Sequence, residues 1–416
     1  MPQVMAGRAE VIVVGGGPAG AATAWALARN GADVLVLDRA RFPRGKPCAE
    51  YLSPQARPLL TEMGALDALM RAGAVPLAGM TIHAVNGLSF EGRFDGAHAG
   101  AGEHTVGLGI RRELLDTILL DCARAAGARV SEGVAVTDVL RDGSGRASGV
   151  RVRDGAATRE IPAGIVVGAD GLRSVVGRRL GLVRASRWPR RIGFVSHFQG
   201  VEGIGECGEM HVWRDGYCGL ANVGAGVTNL GVVMPIRAAA GAGGDVTSFV
   251  NRWIRAHPAL AARFAHAEHV TPVRATGPFA VHARRAWAPG AALVGDAADF
   301  FDPFTGEGMY EALRGGELLG PYLCEALRAS SSRGADEALA AYDRSRRHEF
   351  ASTWRVQKVV ALAVAYPPLL NQAANAAAGR RALSDLIVNV ASGFSPASEL
   401  MRPGVLRALL LPSRPR

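Results

Sequence analysis

Residues Glu10 to Asp38 constrain this chain more than any other segment. Val11-Ile12-Val13-Val14 is a β-branched run suited to a buried parallel strand. Gly15, Gly17 and Gly20 follow in the spacing GxGxxG, with Pro18 and Ala19 between the last two. Ala21 to Arg29 is rich in alanine and leucine and reads as a helix that Gly31 ends. Val34 to Leu37 is a second strand, closed by Asp38. Gly15 permits the tight turn, Gly17 lets backbone approach a pyrophosphate, and Gly20 lets helix pack on strand. The helix N-terminus offers free N–H groups and partial positive charge to phosphates. Asp38, with Arg39 beside it, is spaced to meet an adenosine ribose, and an acid there argues against a 2′-phosphate. Gly203, Gly205 and Gly208 repeat the spacing, but Glu206 would repel phosphate and Met210 to Trp213 reads as strand, not helix.

Two later segments have the same strand-into-acid form. Ile165 to Gly168 runs into Asp170-Gly171, and Ala292 to Gly295 runs into Asp296. Pro303, Gly306, Gly308 and Met309 then lead into a helix reaching about Leu327. In this order, and with Arg112 ahead of Asp116, the chain resembles the flavoprotein superfamily of para-hydroxybenzoate hydroxylase and geranylgeranyl reductase over roughly residues 8–345. The resemblance implies noncovalent FAD. It also implies Arg112 near the flavin phosphates, Asp170-Gly171 as the DG motif, Gly295-Asp296 at the ribityl chain, and Gly306 to Met309 at the pyrimidine edge. A helix N-terminus there stabilises negative charge on reduced flavin.

The fold class expected is α/β: a Rossmann-type FAD-binding domain, an inserted β-sheet substrate domain and a helical C-terminal region. The FAD domain is read as residues 8–75, 100–180 and 286–345, the substrate domain as 76–99 and 181–285, and the C-terminal region as 346–416. Ala78 to Phe94 reads as a hairpin, and 246–266 as a helix turning Phe249, Trp253 and Ile254 inward. The C-terminal helices are expected to pack on the FAD domain; the sharper alternative is a lid or peripheral membrane contact for a lipophilic substrate.

The net charge is +10, yet of 47 basic residues only Lys46 and Lys358 are lysines. No basic run interleaves with aromatics, so nucleic acid is not an expected partner. Five cysteines without a CxxC pair read as reduced cytoplasmic thiols with no metal site. No apolar run is long enough to span a membrane.

Three chemistries share such a scaffold. The resemblance argues against halogenation: the WxWxIP motif is absent and neither lysine stands at the relay position. For reduction of prenyl chains speak Lys46-Pro47-Cys48-Ala49-Glu50, which resembles the reductases' cysteine loop with Ala49 for glycine, and the GEG at 306–308. Against it, Gly216 to Ala221 replaces the reductases' YxWxFP. Cys48, Phe194, Phe198, Trp213 and Tyr217 are the expected substrate-pocket residues. Four aromatics there favour oxygen insertion on a hydrophobic aromatic or polyketide-like molecule, ahead of a prenyl reductase and of a non-catalytic electron carrier. No second nucleotide unit is visible, so NADH or NADPH is expected as a transient donor. No acid–base pair stands out; His197, His211 and His282 are the histidines to place.

Overall fold

The computed structural model describes residues 8–94, 106–186 and 188–410. The apolar runs read from the sequence become a parallel sheet. Its strand order is Trp287–Ala288, Ala291–Leu293, Ala157–Gly168, Ala9–Val14, Val34–Asp38 and Arg129–Glu132. Along this path all pairs are parallel except the first two strands, while Ala147–Asp154 and Val134–Arg141 extend the sheet antiparallel from Ala157–Gly168. Register aligns the strand ends: Val14 pairs with Leu37 and Gly168, and Gly168 with Leu293. Each motif begins within two residues of such an end. Three segments far apart in sequence therefore meet at one rim, where open parallel sheets hold ligands.

Helices Pro18–Ala28 and Gly308–Arg328 pack together on this sheet. Their approach is close because Gly316 and Gly320 face Ala22 and Ala26; a Cβ at either glycine would come within 2.8 Å of those methyls. A second sheet has the order Glu268–His269, Arg191–Gln199, Val227–Pro235, Tyr217–Asn222, Cys207–Val212, Gly79–His83 and Ser89–Arg93. The last two strands are the expected hairpin. Its far face packs on helix Val246–Ala256 through Phe194, Leu220, Val232, Trp253 and Ile254. Pro258 splits the helix expected over 246–266, giving a separate helix Pro258–Arg263.

The boundary read at residue 345 falls inside one 34-residue helix, Ser332–Ala365. Composition changes there; helical hydrogen bonding does not. The C-terminal helices pack on the FAD domain as expected, through Glu349 to Arg314 and Gln357 to Glu311, and on the hairpin segment as well. Leu370, Ala374 and Val388 join Phe90 and Phe94 of the hairpin segment in one core, and the Arg93 N–H donates to Asp385 at 2.8 Å. The boundary read at 99/100 and the basic end at Arg414 and Arg416 lie outside the described residues. Among those described, no helix is long and apolar enough to cross a membrane.

Candidate active site

The rim of the parallel sheet and the near face of the second sheet enclose one cleft. Gly17, Pro18, Ala19, Arg112, Asp296, Pro303, Gly306, Gly308 and Met309 line it, as do Cys48 and Tyr217.

Gly15 has φ +105°, and a Cβ there would lie 2.5 Å from the Ala169 carbonyl oxygen. A Cβ on Gly20 would lie 1.8 Å from the Gly15 oxygen. These two glycines build the turn without reaching the cleft surface. At Gly17 the nearest atoms to a Cβ are the guanidinium nitrogens of Arg44 and Arg112, at 3.5 and 3.9 Å. Two cations facing a helix N-terminus across a bare backbone form a cradle for a diphosphate. Arg112 is buried and bidentate to Asp116, both contacts 2.8 Å. Burial works against its charge, and Asp116 more than offsets it. Arg44 shares the Asp116 carboxylate at 2.9 Å. Sequence reasoning missed Arg44; the available signal was an arginine in the loop after the strand that Asp38 ends. Asp38 takes the Gly16 and Ala40 N–H groups, each at 2.8 Å, so its orientation is fixed, while Arg39 beside it is exposed.

Asp170 departs from expectation. Its carboxylate accepts from Ser174 Oγ and Val175 N, both at 2.5 Å, at the start of helix Val175–Arg179. It holds the turn, and its neighbours Ala169, Gly171 and Leu172 face the cleft. Gly295, at φ +61°, likewise supports: a Cβ would meet Ala19 at 2.8 Å. Asp296 is in the cleft, 3.5 Å from Lys46 Nζ.

Strand alternation corrects three pocket residues. Phe194 and Phe198 point to the far face, and Trp213 packs edge-on against Trp253 there. Gly193, Val195, Met210, Gly219, Gly231 and Val233 face the cleft instead. Tyr217 is on the correct side, but its hydroxyl donates to Asp302 at 2.7 Å, and Arg191 donates to the other Asp302 oxygen at 2.7 Å.

The histidines serve elsewhere. His197 Nε2 is 2.6 Å from Glu50 Oε2. Glu50, at φ 55°, also accepts from the Arg112 backbone N–H, and Asn229 donates to the Cys48 carbonyl at 3.0 Å. This buried network ties the cysteine loop to the second sheet. His211 lies on the far face with Glu209 and His83. Arg263 takes both Glu209 oxygens, and the two imidazoles stack flat at 4.0 Å, which keeps their in-plane lone pairs in separate planes. His282 pairs with Asp299 beside a second chamber.

Glu311, also missed, stands one turn into helix Gly308–Arg328 and faces the cleft. Gln357 donates to its Oε1 at 2.7 Å. Burial pushes its carboxyl up to about 8; the Gln357 amide opposes this, and Asp299 and Asp296 add to it. The signal was an acid three residues after Gly308, hence on the same helix face.

Residues 8–356 match the sequence family described as FAD binding domain. The chain belongs to that FAD-binding family. Its place is within the superfamily of para-hydroxybenzoate hydroxylase and geranylgeranyl reductase, and FAD is its cofactor. It is similar to digeranylgeranylglycerophospholipid reductase 2 of Methanopyrus kandleri, at 29% identity over 83% of this chain and 84% of that one. The corresponding reductase of Methanothrix thermoacetophila is 30% identical over 81% and 82%. Among solved structures, a flavoprotein/dehydrogenase from Cytophaga hutchinsonii superposes with a TM-score of 0.82 at 21% identity, covering 96% of each chain.

Proposed function

We propose that this FAD-dependent oxidoreductase reduces carbon–carbon double bonds in the prenyl-type chain of a lipophilic substrate, with NADH or NADPH as transient electron source. One observation carries the reading: the second sheet turns a smooth apolar trough to the cleft. Gly219 and Gly231 are register partners, Gly193 pairs with Val233, and Val195 and Met210 flank them. The floor is open at Gly231, where a Cβ would meet nothing within 4 Å, while Phe279 covers Gly193 and Met210 covers Gly219. A strand glycine can admit close approach of a ligand, and a slim methyl-branched chain would fit there. Three of the four aromatics that favoured oxygen insertion, Phe194, Phe198 and Trp213, lie behind the sheet, and Tyr217 has its hydroxyl committed to Asp302. The aromatics on the cleft are Tyr51, Tyr217, Phe279, Phe300 and Phe301. Support also comes from the Cys48 loop on the cleft wall and from the similarity to lipid reductases over most of both chains.

The residues present fit FAD. Gly17 to Ala19 with Arg44 and Arg112 would hold the pyrophosphate, Asp38 the ribose and Asp296 the ribityl chain. The start of helix Gly308–Arg328 would favour negative charge at the pyrimidine edge. FAD once reduced by NADH or NADPH would supply the hydride equivalent, and the second hydrogen must arrive as a proton. Glu311 keeps a proton at neutral pH on the cleft wall, and Gln357 fixes the oxygen that does not carry it. The test is turnover of a prenyl lipid by reduced enzyme under strict anaerobiosis. The expected product is two hydrogens heavier. A requirement for oxygen, with label from dioxygen in the product, would overturn reduction and establish oxygen insertion.

A further inference from the structure

Helix Ser332–Ala365 leaves one side uncovered among the described residues. Ala361 and Val364 are buried, whereas Val359 is 67% exposed, Leu362 51% and, just past the helix, Tyr366 59%. Leu369 on the next helix, Pro367–Ala377, is also exposed. The spacing of three and four residues makes Val359, Leu362 and Tyr366 a single row. Isolated exposed apolar side chains are ordinary; an apolar row of this size marks an interaction surface.

Two further observations say what it meets. At the head of the row stand the exposed cations Arg355 and Lys358. The same end of the helix supplies Trp354, Gln357 and Lys358 to a second chamber of about 330 Å³. Arg184 lines that chamber too, and its Asp299 is occupied by Arg346 and His282. Phe300, Phe301, Glu311 and Gln357 line both this chamber and the cofactor cleft, so these side chains form the wall that the two share. Trp188, 46% exposed, leans on Phe301 with ring centroids 6.1 Å apart. Apolar row, flanking cations and an exposed indole are the elements of a surface that rests in a lipid headgroup layer.

We propose that the row Val359, Leu362, Tyr366 and Leu369 seats this protein on an anionic bilayer, and that the chamber behind Trp354 and Lys358 is the passage from that bilayer to the cofactor cleft. The substrate side of this inference rests on the prenyl-chain reading; the docking surface does not. Lys358 and Arg184 would meet headgroup phosphate while the chain passes Phe300 and Phe301 toward the glycine trough.

The experiment uses the full FAD-loaded protein and vesicles of phosphatidylcholine with and without phosphatidylglycerol, free of prenyl lipid. Co-sedimentation is expected with the anionic vesicles and should weaken as salt rises. The double variant Val359→Asp/Leu362→Asp should bind about tenfold or more weaker and keep its flavin spectrum and melting temperature. Turnover of a short, water-soluble prenyl alcohol should be unchanged in that variant. Wild-type protein that ignores anionic vesicles, or a double variant that binds like wild type, overturns the docking surface. A dimer by light scattering that the double variant dissolves would assign the row to a second copy and overturn it as well. Vesicle binding without reduction of any prenyl compound would remove the prenyl reading and leave the surface standing.

Discussion

At the scale of single residues, two glycines with similar sequence credentials have different physical fates. A valine at Gly17 meets only arginine side-chain ends at ordinary contact distance, so the chain should fold. The added methyls would occupy the phosphate cradle, and the purified Gly17→Val protein should be colourless. At Gly205, in the second GxGxxG, a Cβ meets nothing within 4 Å. Gly205→Val should therefore keep its flavin absorbance, and equal loss in both variants would contradict this assignment of the phosphate site. Glu311 allows a pH prediction. Burial raises its carboxyl to about 8 in the folded protein, whereas an ordinary glutamate carboxyl titrates at 4.5. Its contribution to stability is complete below about 4.5 and is lost as pH rises through 8. Over that range the melting temperature of the wild type should fall relative to Glu311→Gln, measured by scanning fluorimetry. Parallel curves would mean that Glu311 ionises in the fold as it does in the unfolded chain.

At the scale of elements, strand Arg191–Gln199 has two faces with opposite duties. Phe194 is buried against the helix Val246–Ala256 side, so Phe194→Ala should cost about 3–5 kcal/mol of stability with little change in KM. Gly231 faces the cleft, and a Cβ there meets nothing within 4 Å. Gly231→Val should melt like wild type while kcat/KM for a prenyl substrate drops about tenfold or more, ~1.4 kcal/mol. Urea melts and steady-state kinetics on the two variants separate these effects. The same strand shows where the sequence was legible. The Rossmann elements were read well because local signals, strand then glycine turn then helix, coincide with the tertiary solution. Facing was not, because Arg191–Gln199 is covered on both sides, by helix behind and cleft in front. Apolar residues then occupy both parities and alternation carries no information. A usable signal remained in Gly193, Gly219 and Gly231, residues that strands otherwise disfavour. The capping role of Asp170 was not legible, because a capping acid and a ligand-facing acid after a strand look identical in one dimension. Glu50, His197 and Asn229 form a contact between distant segments, which no local pattern encodes.

At the scale of the whole molecule, the helix Ser332–Ala365 joins what composition divides. Asp343 accepts the Ala286 N–H beside the parallel sheet, and Gln357, on the same helix, reaches the cleft. Ending the chain after residue 345 would cut this helix and strip Phe90 and Phe94 of their cover. The truncated protein should be insoluble or should lack a cooperative melt, rather than behave as a trimmed FAD domain. A soluble, yellow, cooperatively melting fragment would show the region to be dispensable.

The cleft draws its lining from Gly17 through to Gln357. The phosphate-binding turn is synthesised well before the cleft's other walls, with Gln357 following Gly17 by 340 residues (357 − 17). Until those walls are made the nascent chain carries a fingerprint without a site. Parallel strands that must wait for distant partners fold slowly, and here the partner Ala291–Leu293 is among the late arrivals. The fingerprint alone is therefore not a binding site: the cleft exists only once strand Ala291–Leu293 and Gln357 have joined the early turn.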